Sequence, residues 1–215
     1  MASKNLKNKN VLITCGPTQV PIDDVRVISN QSTGQLGHFI AQRLQKAGAK
    51  VTLLEGAVRN PIKMKSIRVI GFTFYKELLN CIQRELKKKY DIMIHAAAVS
   101  DYQLKKTYPK KLSSGLAELN LQLVPTIKII DRIKKWAPNI FLVGFKLEDG
   151  INRQSAEQIT HRLFKQSRCD LVVVNTITGN TYHGFILNRR YKILAEANSR
   201  PSMSARLMRI LEDNL

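Results

Sequence analysis

Cysteine is scarce in this sequence: Cys15, Cys81 and Cys169 lie far apart, and no CxxC pair occurs. That spacing offers no thiol redox motif, and an odd count argues against a disulfide framework. A reducing, cytoplasmic setting fits. Histidine is equally sparse (His38, His95, His161, His183) and no HExxH is present, so a metal centre has little support. Acidic residues are few, with 16 Asp and Glu against 35 Lys and Arg, a formal charge of +19. Such a balance suggests an anionic partner: nucleic acid, a nucleotide or a phosphorylated metabolite. The basic residues are spread along the chain rather than blocked, so a solvated basic surface explains them equally well. Aromatic residues make up only 7% and no RNA-binding signature occurs, which counts against nucleic acid. No apolar run reaches the roughly 18 residues that cross a bilayer. Met1 to Asn10 is polar and lysine-rich, without the apolar stretch of a secretory signal.

What is present is an alternation of apolar runs with longer amphipathic ones. The 215 residues suffice for one substantial α/β domain and are short for two. Residues 1–9 read as a flexible basic N-terminus and 10–215 as a single nucleotide-binding domain. Strands are predicted at 11–14, 51–54, 67–70, 91–97, 119–123, 141–145 and 171–174. Helices are predicted at 33–47, 73–88, 127–136, 155–166 and 202–211. Gly184–Leu187 and Tyr191–Leu194, separated by Asn188-Arg189-Arg190, suggest a hairpin. The fold class is α/β: a Rossmann-like parallel sheet with helices on both faces, a small β extension and a lysine-rich flap between Val99 and Leu116.

In such sheets ligands bind beyond the carboxyl ends of the strands, and four segments stand there. The first is Gly16-Pro17-Thr18 with Ser29 to Gly37, a Ser/Thr/Gly-rich helix entry. It is not the dinucleotide fingerprint, whose glycines all follow strand one directly. Gly34 and Gly37 would let a phosphate approach the backbone, and Ser32 could cap the helix or bind phosphate; a simply capped helix explains the same residues. The second is Ala97-Ala98-Val99-Ser100-Asp101; its small residues leave a strand end open, or pack closely, and Asp101 could hold a cation or form a turn. His95, just before it, reads as a satisfied core histidine rather than a catalyst. The third is the Lys111-Leu112-Ser113-Ser114 loop, able to close over a polyphosphate or simply exposed. The fourth pairs Phe145, able to stack on a base or pack in the core, with Asn175, able to read a base or form an Asx-turn.

Taken in order, Gly16-Pro17-Thr18, Ser29-Asn30, Ser32-Thr33-Gly34-Gln35-Leu36-Gly37, Ala97 to Asp101, Lys111 to Ser114, Gly144-Phe145-Lys146-Leu147 and Asp170 to Asn175 resemble the phosphopantothenate–cysteine ligases (phosphopantothenoylcysteine synthetases), in the stand-alone bacterial form. The resemblance implies a ligase of coenzyme A biosynthesis. It would join 4′-phosphopantothenate to L-cysteine through an acyl-CMP intermediate, with CTP (or ATP) as co-substrate, Mg²⁺ as cofactor and a homodimer as the assembly. It assigns Asn30 and Lys111 as catalytic. Gly16, Ser32, Gly34, Gly37, Phe145 and Asn175 become nucleotide contacts, and Ala97, Ala98 and Asp101 substrate contacts. Pro17 departs from the usual Gly-Gly-Thr and removes a backbone donor. Ser113 departs too, standing where many members carry lysine. The competing readings are a basic nucleic-acid-binding protein, an NAD(P)-dependent reductase, for which only Glu55 after strand two speaks, and a non-catalytic relative.

Overall fold

The computed structural model describes residues 5–113, 115 and 117–215; residues 1–4 of the expected basic N-terminus and Ser114 of the lysine loop lie outside them. The chain opens with β1 (Asn10–Cys15), followed by a short hairpin, β2 (Gln19–Pro21) and β3 (Val27–Ser29). Then come α1 (Gln35–Lys46), β4 (Lys50–Glu55), β5 (Arg68–Gly71), α2 (Tyr75–Leu86) and β6 (Ile92–His95). A second small pair follows, β7 (Tyr102–Leu104) and β8 (Leu123–Pro125). The remainder is α3 (Ile130–Trp136), β9 (Phe141–Leu147), α4 (Arg153–Lys165), β10 (Leu171–Thr178), β11 (Thr181–Asn188), β12 (Ile193–Ala197) and α5 (Arg200–Asn214).

Eight strands form one sheet in the order β12-β11-β10-β9-β6-β1-β4-β5. The six from β5 to β10 run parallel, and β11 and β12 each pair antiparallel with the strand before. The sheet is therefore mixed and mostly parallel. The expected parallel sheet with a small β extension is present, and one turn sets where the extension begins: Thr178 pairs with Thr181, with Gly179 at φ 58° between them. A two-residue connection can only reverse the strand.

Side-chain alternation builds a core on each face. Val11, Ile13 and Cys15 of β1, with Ile92 and Ile94 of β6, meet α1 and α5 through Ile40, Leu44, Met203 and Leu207. Leu12 and Met93, of opposite parity, meet α2, α3 and α4 through Leu78, Ile82, Ile133 and Leu163. A third, smaller cluster of Val20, Ile22 and Leu104, joined by Tyr108, Leu112 and Leu121, holds the two small hairpins together. Thus the segment expected to be a bare loop contains β7, and the strand expected at 119–123 begins only at Leu123, where its partner is β7 rather than the main sheet.

One buried carboxylate ties the edge of the sheet to α2. Glu85, with a fully buried side chain, accepts from Arg68 Nη1 at 2.7 Å, Lys88 Nζ at 2.9 Å and Tyr90 Oη at 2.8 Å. Burial alone would raise its pKa, but these three donors together outweigh it and bring the carboxyl down to about 2. A depressed carboxyl contributes stability above its unfolded pKa and loses it as pH falls through the folded one. Glu85→Gln should therefore cost about 2 kcal/mol at pH 7. The gap to wild type should narrow below pH 4.5 and close near about 2. Urea unfolding at a series of pH values measures both.

Candidate functional site at the carboxyl ends of the strands

β1 and β6 are neighbours, and the chain segments leaving them stay bonded beyond the sheet. Ala98 N donates to Gly16 O at 2.9 Å and Thr18 N to Ala98 O at 3.1 Å. Ser100 N then donates to Thr18 Oγ1 at 2.8 Å, and Ser100 Oγ to Thr18 O at 3.1 Å. Pro17 sits between these bonds, so its missing N–H leaves the ladder intact. Within the sheet, Thr14 Oγ1 meets His95 Nδ1 at 2.9 Å. Burial pushes His95 down to about 4, so the ring is neutral at physiological pH. His95 is a satisfied core histidine, although its position at the strand end also puts it on the floor of the cleft.

That cleft, of about 1050 Å³, opens over the strand ends between α1, α3, α4 and the start of α5. Asn30, Ser32, Gly34, Gly37, Ala97, Ala98, Asp101, Phe145 and Asn175 all line it. Gly16 lies just behind the wall, and Lys111 stands outside, exposed. Asn30 Nδ2 donates to Ala98 O and Val99 O, each at 3.3 Å, and among the described residues no donor takes its amide oxygen, which stays available as an acceptor. The α1 N-terminus begins at Gly34 with φ 70° and no side-chain cap, so Ser32 is not the cap. Its first-turn N–H groups have no helical acceptors and the dipole is positive there. An anion fits such an end.

The glycines also allow close packing. A Cβ on Gly34 would lie 2.9 Å from Val58 Cγ1, and one on Gly37 would lie 2.3 Å from Cys15 Cβ. Their missing side chains admit protein, seating α1 directly on β1 and on the loop after β4. The Lys111 loop is also more tethered than expected. Asp23 accepts from Leu112 N at 3.0 Å and from Arg26 N at 2.7 Å, and Arg26 Nη2 donates to Leu112 O at 3.2 Å. The Leu112 and Val25 N–H groups hold the Asp23 carboxyl below the usual range despite its burial, with Arg26 adding to them.

The cleft also gathers several cations, of which Lys128 and Arg200 carried no signal in the sequence. Lys128 pairs with Asp101, Arg162 with Asp131 at 2.7 Å and Lys146 with Glu148 at 2.8 Å. Arg200, at the start of α5, also faces the cleft and stacks over Tyr182 at 5.5 Å. The structure also gathers Cys15, His38 and Glu55, whose ligating atoms lie within 4.8 Å of one another. Burial raises the Cys15 thiol well above its ordinary pKa, and the Glu55 carboxylate adds to the rise.

Residues 6–207 match the family described as DNA/pantothenate metabolism flavoprotein C-terminal domain. The chain belongs to that family. A coenzyme A biosynthesis bifunctional protein CoaBC from Thermococcus kodakarensis is 40% identical over 181 residues, covering 81% of this chain and 43% of that protein. A cysteine/cysteine sulfinic acid decarboxylase from an unknown prokaryotic organism is 35% identical over 180 residues, covering 82% and 48%. The chain thus spans less than half the length of these relatives. Among solved structures, a DNA/pantothenate metabolism flavoprotein from Streptococcus pneumoniae superposes with a TM-score of 0.85 at 25% identity, over 96% of this chain and all of that one. A Cab2 mutant in complex with phosphopantothenate-cysteine shares the fold, with a TM-score of 0.75 at 18% identity over 99% and 91%.

These findings correct the resemblance drawn from the motifs. The family is described as a flavoprotein domain, and these relatives are named as bifunctional coenzyme A biosynthesis proteins or a decarboxylase. None of these names is that of a ligase or mentions CTP. The ligase activity, the acyl-CMP intermediate, CTP (or ATP) and Mg²⁺, and 4′-phosphopantothenate, L-cysteine and a homodimer as partners rested on that resemblance alone. They are withdrawn with it; coenzyme A biosynthesis is named by the Thermococcus relative and pantothenate metabolism by the family description.

A flavin is the cofactor that the family description brings forward, and the Cys15–His38–Glu55 group is the natural place to test it. The residues do not fit one there. His38 Nε2 closes on Glu55 Oε1 at 2.6 Å, and the two side chains are only 13% and 7% exposed. Of the three, Cys15 alone reaches the cleft, beneath the Gly37 backbone. No ring can enter between them, and no step is derived through a flavin. The close seating of α1 has a direct consequence. Gly37→Ala should cost at least about 1–3 kcal/mol, because its Cβ overpacks the backbone side of Cys15. Denaturant titration should show this as a lower midpoint at unchanged slope.

Proposed function

We propose that this chain is an enzyme of coenzyme A biosynthesis whose strand-end cleft binds phosphopantothenoylcysteine. One observation carries the proposal: an uncapped helix N-terminus faces the cleft beside the free amide oxygen of Asn30. The compound presents matching groups, a phosphate at one end, two amides along its length and a carboxylate at the other. The phosphate suits the first turn of α1, at Gly34 to Gly37 with Ser32 beside it. An amide N–H suits Asn30 Oδ1, and Ala97 and Ala98 leave room along the wall. Arg200 lies within reach of a carboxylate. Lys111 closes from the rim over the phosphate, while Asp101, Phe145 and Asn175 bound the rest of the cleft. The names of the relatives and the compound bound by the Cab2 mutant support this reading. The three free cysteines accord with a cytoplasmic setting. No described helix is long and apolar enough to cross a membrane.

The relative named as a decarboxylase favours a second reading, loss of the carboxyl group as CO₂. That reaction leaves an electron pair on carbon, which needs an electron sink. The side chains lining the cleft supply none, so decarboxylation would require a cofactor bound elsewhere.

Isothermal titration with phosphopantothenoylcysteine should give saturable binding without added flavin. Asn30→Ala should weaken it about tenfold, the worth of one hydrogen bond of roughly 1.4 kcal/mol. No saturable heat, or equal binding by the variant, would sink the assignment of this cleft. Release of CO₂ on adding flavin mononucleotide would move the activity to the second reading.

A further inference from the structure

Cys15, His38 and Glu55 come from three separate elements: the last residue of β1, the first turn of α1 and the last residue of β4. Cys15 and Glu55 are register partners in the parallel ladder, so their side chains leave the sheet on the same face. α1 lies across that face and brings His38 over both. The loop after β4 covers the group, its Ile62 N–H reaching Glu55 Oε1 at 3.1 Å.

Glu55 is 6% exposed, and among the described residues no Lys or Arg pairs with it. A buried carboxylate requires a cationic partner. Here the one charged-type side chain in reach is a histidine, which offsets the carboxylate only when protonated. Both hydrogen bonds that Glu55 accepts fall on Oε1. Its Oε2 therefore remains available beside a thiol and an imidazole.

We propose that Cys15, His38 and Glu55 form a site for one borderline-soft divalent cation, of which zinc is the fitting example. One sulfur, one nitrogen and one carboxylate oxygen are the donors that zinc takes, at about 2.3, 2.0 and 2.1 Å. Donors around a tetrahedral zinc stand roughly 3.3–3.8 Å apart. The three atoms here already lie within 4.8 Å of each other, so a cation draws in the outlying donor and parts His38 from Glu55. The cation takes the place of the proton they now share, and the Cys15 thiol gives up its proton to solvent on binding. Water from the cleft completes the shell on the Cys15 side. Hard cations such as magnesium prefer oxygen donors and discriminate against this set. The role is structural: the cation ties α1 to β1 and β4, the strand ends that shape the cleft.

Cobalt reports on such a site, because a bound thiolate gives a sulfur-to-cobalt charge-transfer band. The purified full chain, stripped with a chelator, is titrated with Co²⁺ and then with Zn²⁺. The expected result is a band that saturates at about one equivalent and is displaced by Zn²⁺, with Zn²⁺ also raising the melting temperature. Cys15→Ser should lose the band. Glu55→Gln, which keeps the size of the side chain, should weaken binding about tenfold or more, at least the loss seen when a ligand's supporting partner is removed. Circular dichroism confirms that each variant is folded; should Cys15→Ser not fold, Glu55→Gln decides alone. Absence of a band in wild type overturns the site and leaves a plain ion pair beside a packed thiol. So does a band that survives in Cys15→Ser, which would place the cation at Cys81 or Cys169, or undiminished binding by Glu55→Gln. Neither result bears on phosphopantothenoylcysteine, whose binding is read separately.

Discussion

Beyond the sheet, β1 and β6 do not part. Gly16, Thr18, Ala98 and Ser100 continue their pairing through backbone and hydroxyl hydrogen bonds in a buried setting. One wall of the cleft, from Asn30 to Thr126, hangs from this junction. Asn30 is held by the carbonyls of Ala98 and Val99, so its amide is aimed by the β6 side of the junction although its own chain leaves from β1. Thr126 Oγ1 donates to Ser100 O at 2.8 Å, which brings the approach to α3 against the same point. A buried polar junction of this kind is fully satisfied or costly, and here the bonds close on one another.

The second constraint is the close seating of α1. Gly34 and Gly37 leave no room for a side chain against Val58 and Cys15. The helix N-terminus is thus fixed by contact with protein at the wall of the cleft, where Gln35 N keeps only a long 3.5 Å bond to Thr33 Oγ1. The charges around the cleft are organised in the same spirit. Lys128, Lys146 and Arg162 each pair with a carboxylate, which holds them in place and limits their pull on an anion. The excess positive charge of the chain therefore does not mark the site; the geometry of strand ends and helix start does.

Much of this was legible in the sequence, for reasons that differ by element. The strands β1, β4, β6, β9 and β10 and the helices between them announced themselves by periodicity, because each buries a face. The cleft residues Ala97 and Asp101 followed from standing just beyond β6, Phe145 and Asn175 from lying near the carboxyl ends of β9 and β10, and Asn30 from the motif order alone. The small hairpins were not legible. Three-residue strands such as β2 and β7 carry too short a pattern, and their pairing depends on a cluster assembled from Val20, Ile22 and Leu104. The antiparallel edge was half seen: the hairpin of β11 and β12 was expected, but the tight turn at Gly179 that reverses β11 against β10 was not. Cys15, His38 and Glu55 are far apart in sequence, and only the register of β1 with β4 brings them together. The activity was misread: the ordered motifs were assigned to a ligase family, whereas the family that matches is described as a flavoprotein domain.

Binding of phosphopantothenoylcysteine at the strand-end cleft, against the start of α1, can be read by nitrogen-15 NMR of the labelled chain titrated with that compound. The largest shifts should fall on the amides of Gln35, Leu36 and Gly37 and on the side-chain amide of Asn30. The edge strands β5 and β12 should stay unmoved. Shifts confined to other surfaces, or none at saturating compound, would contradict it.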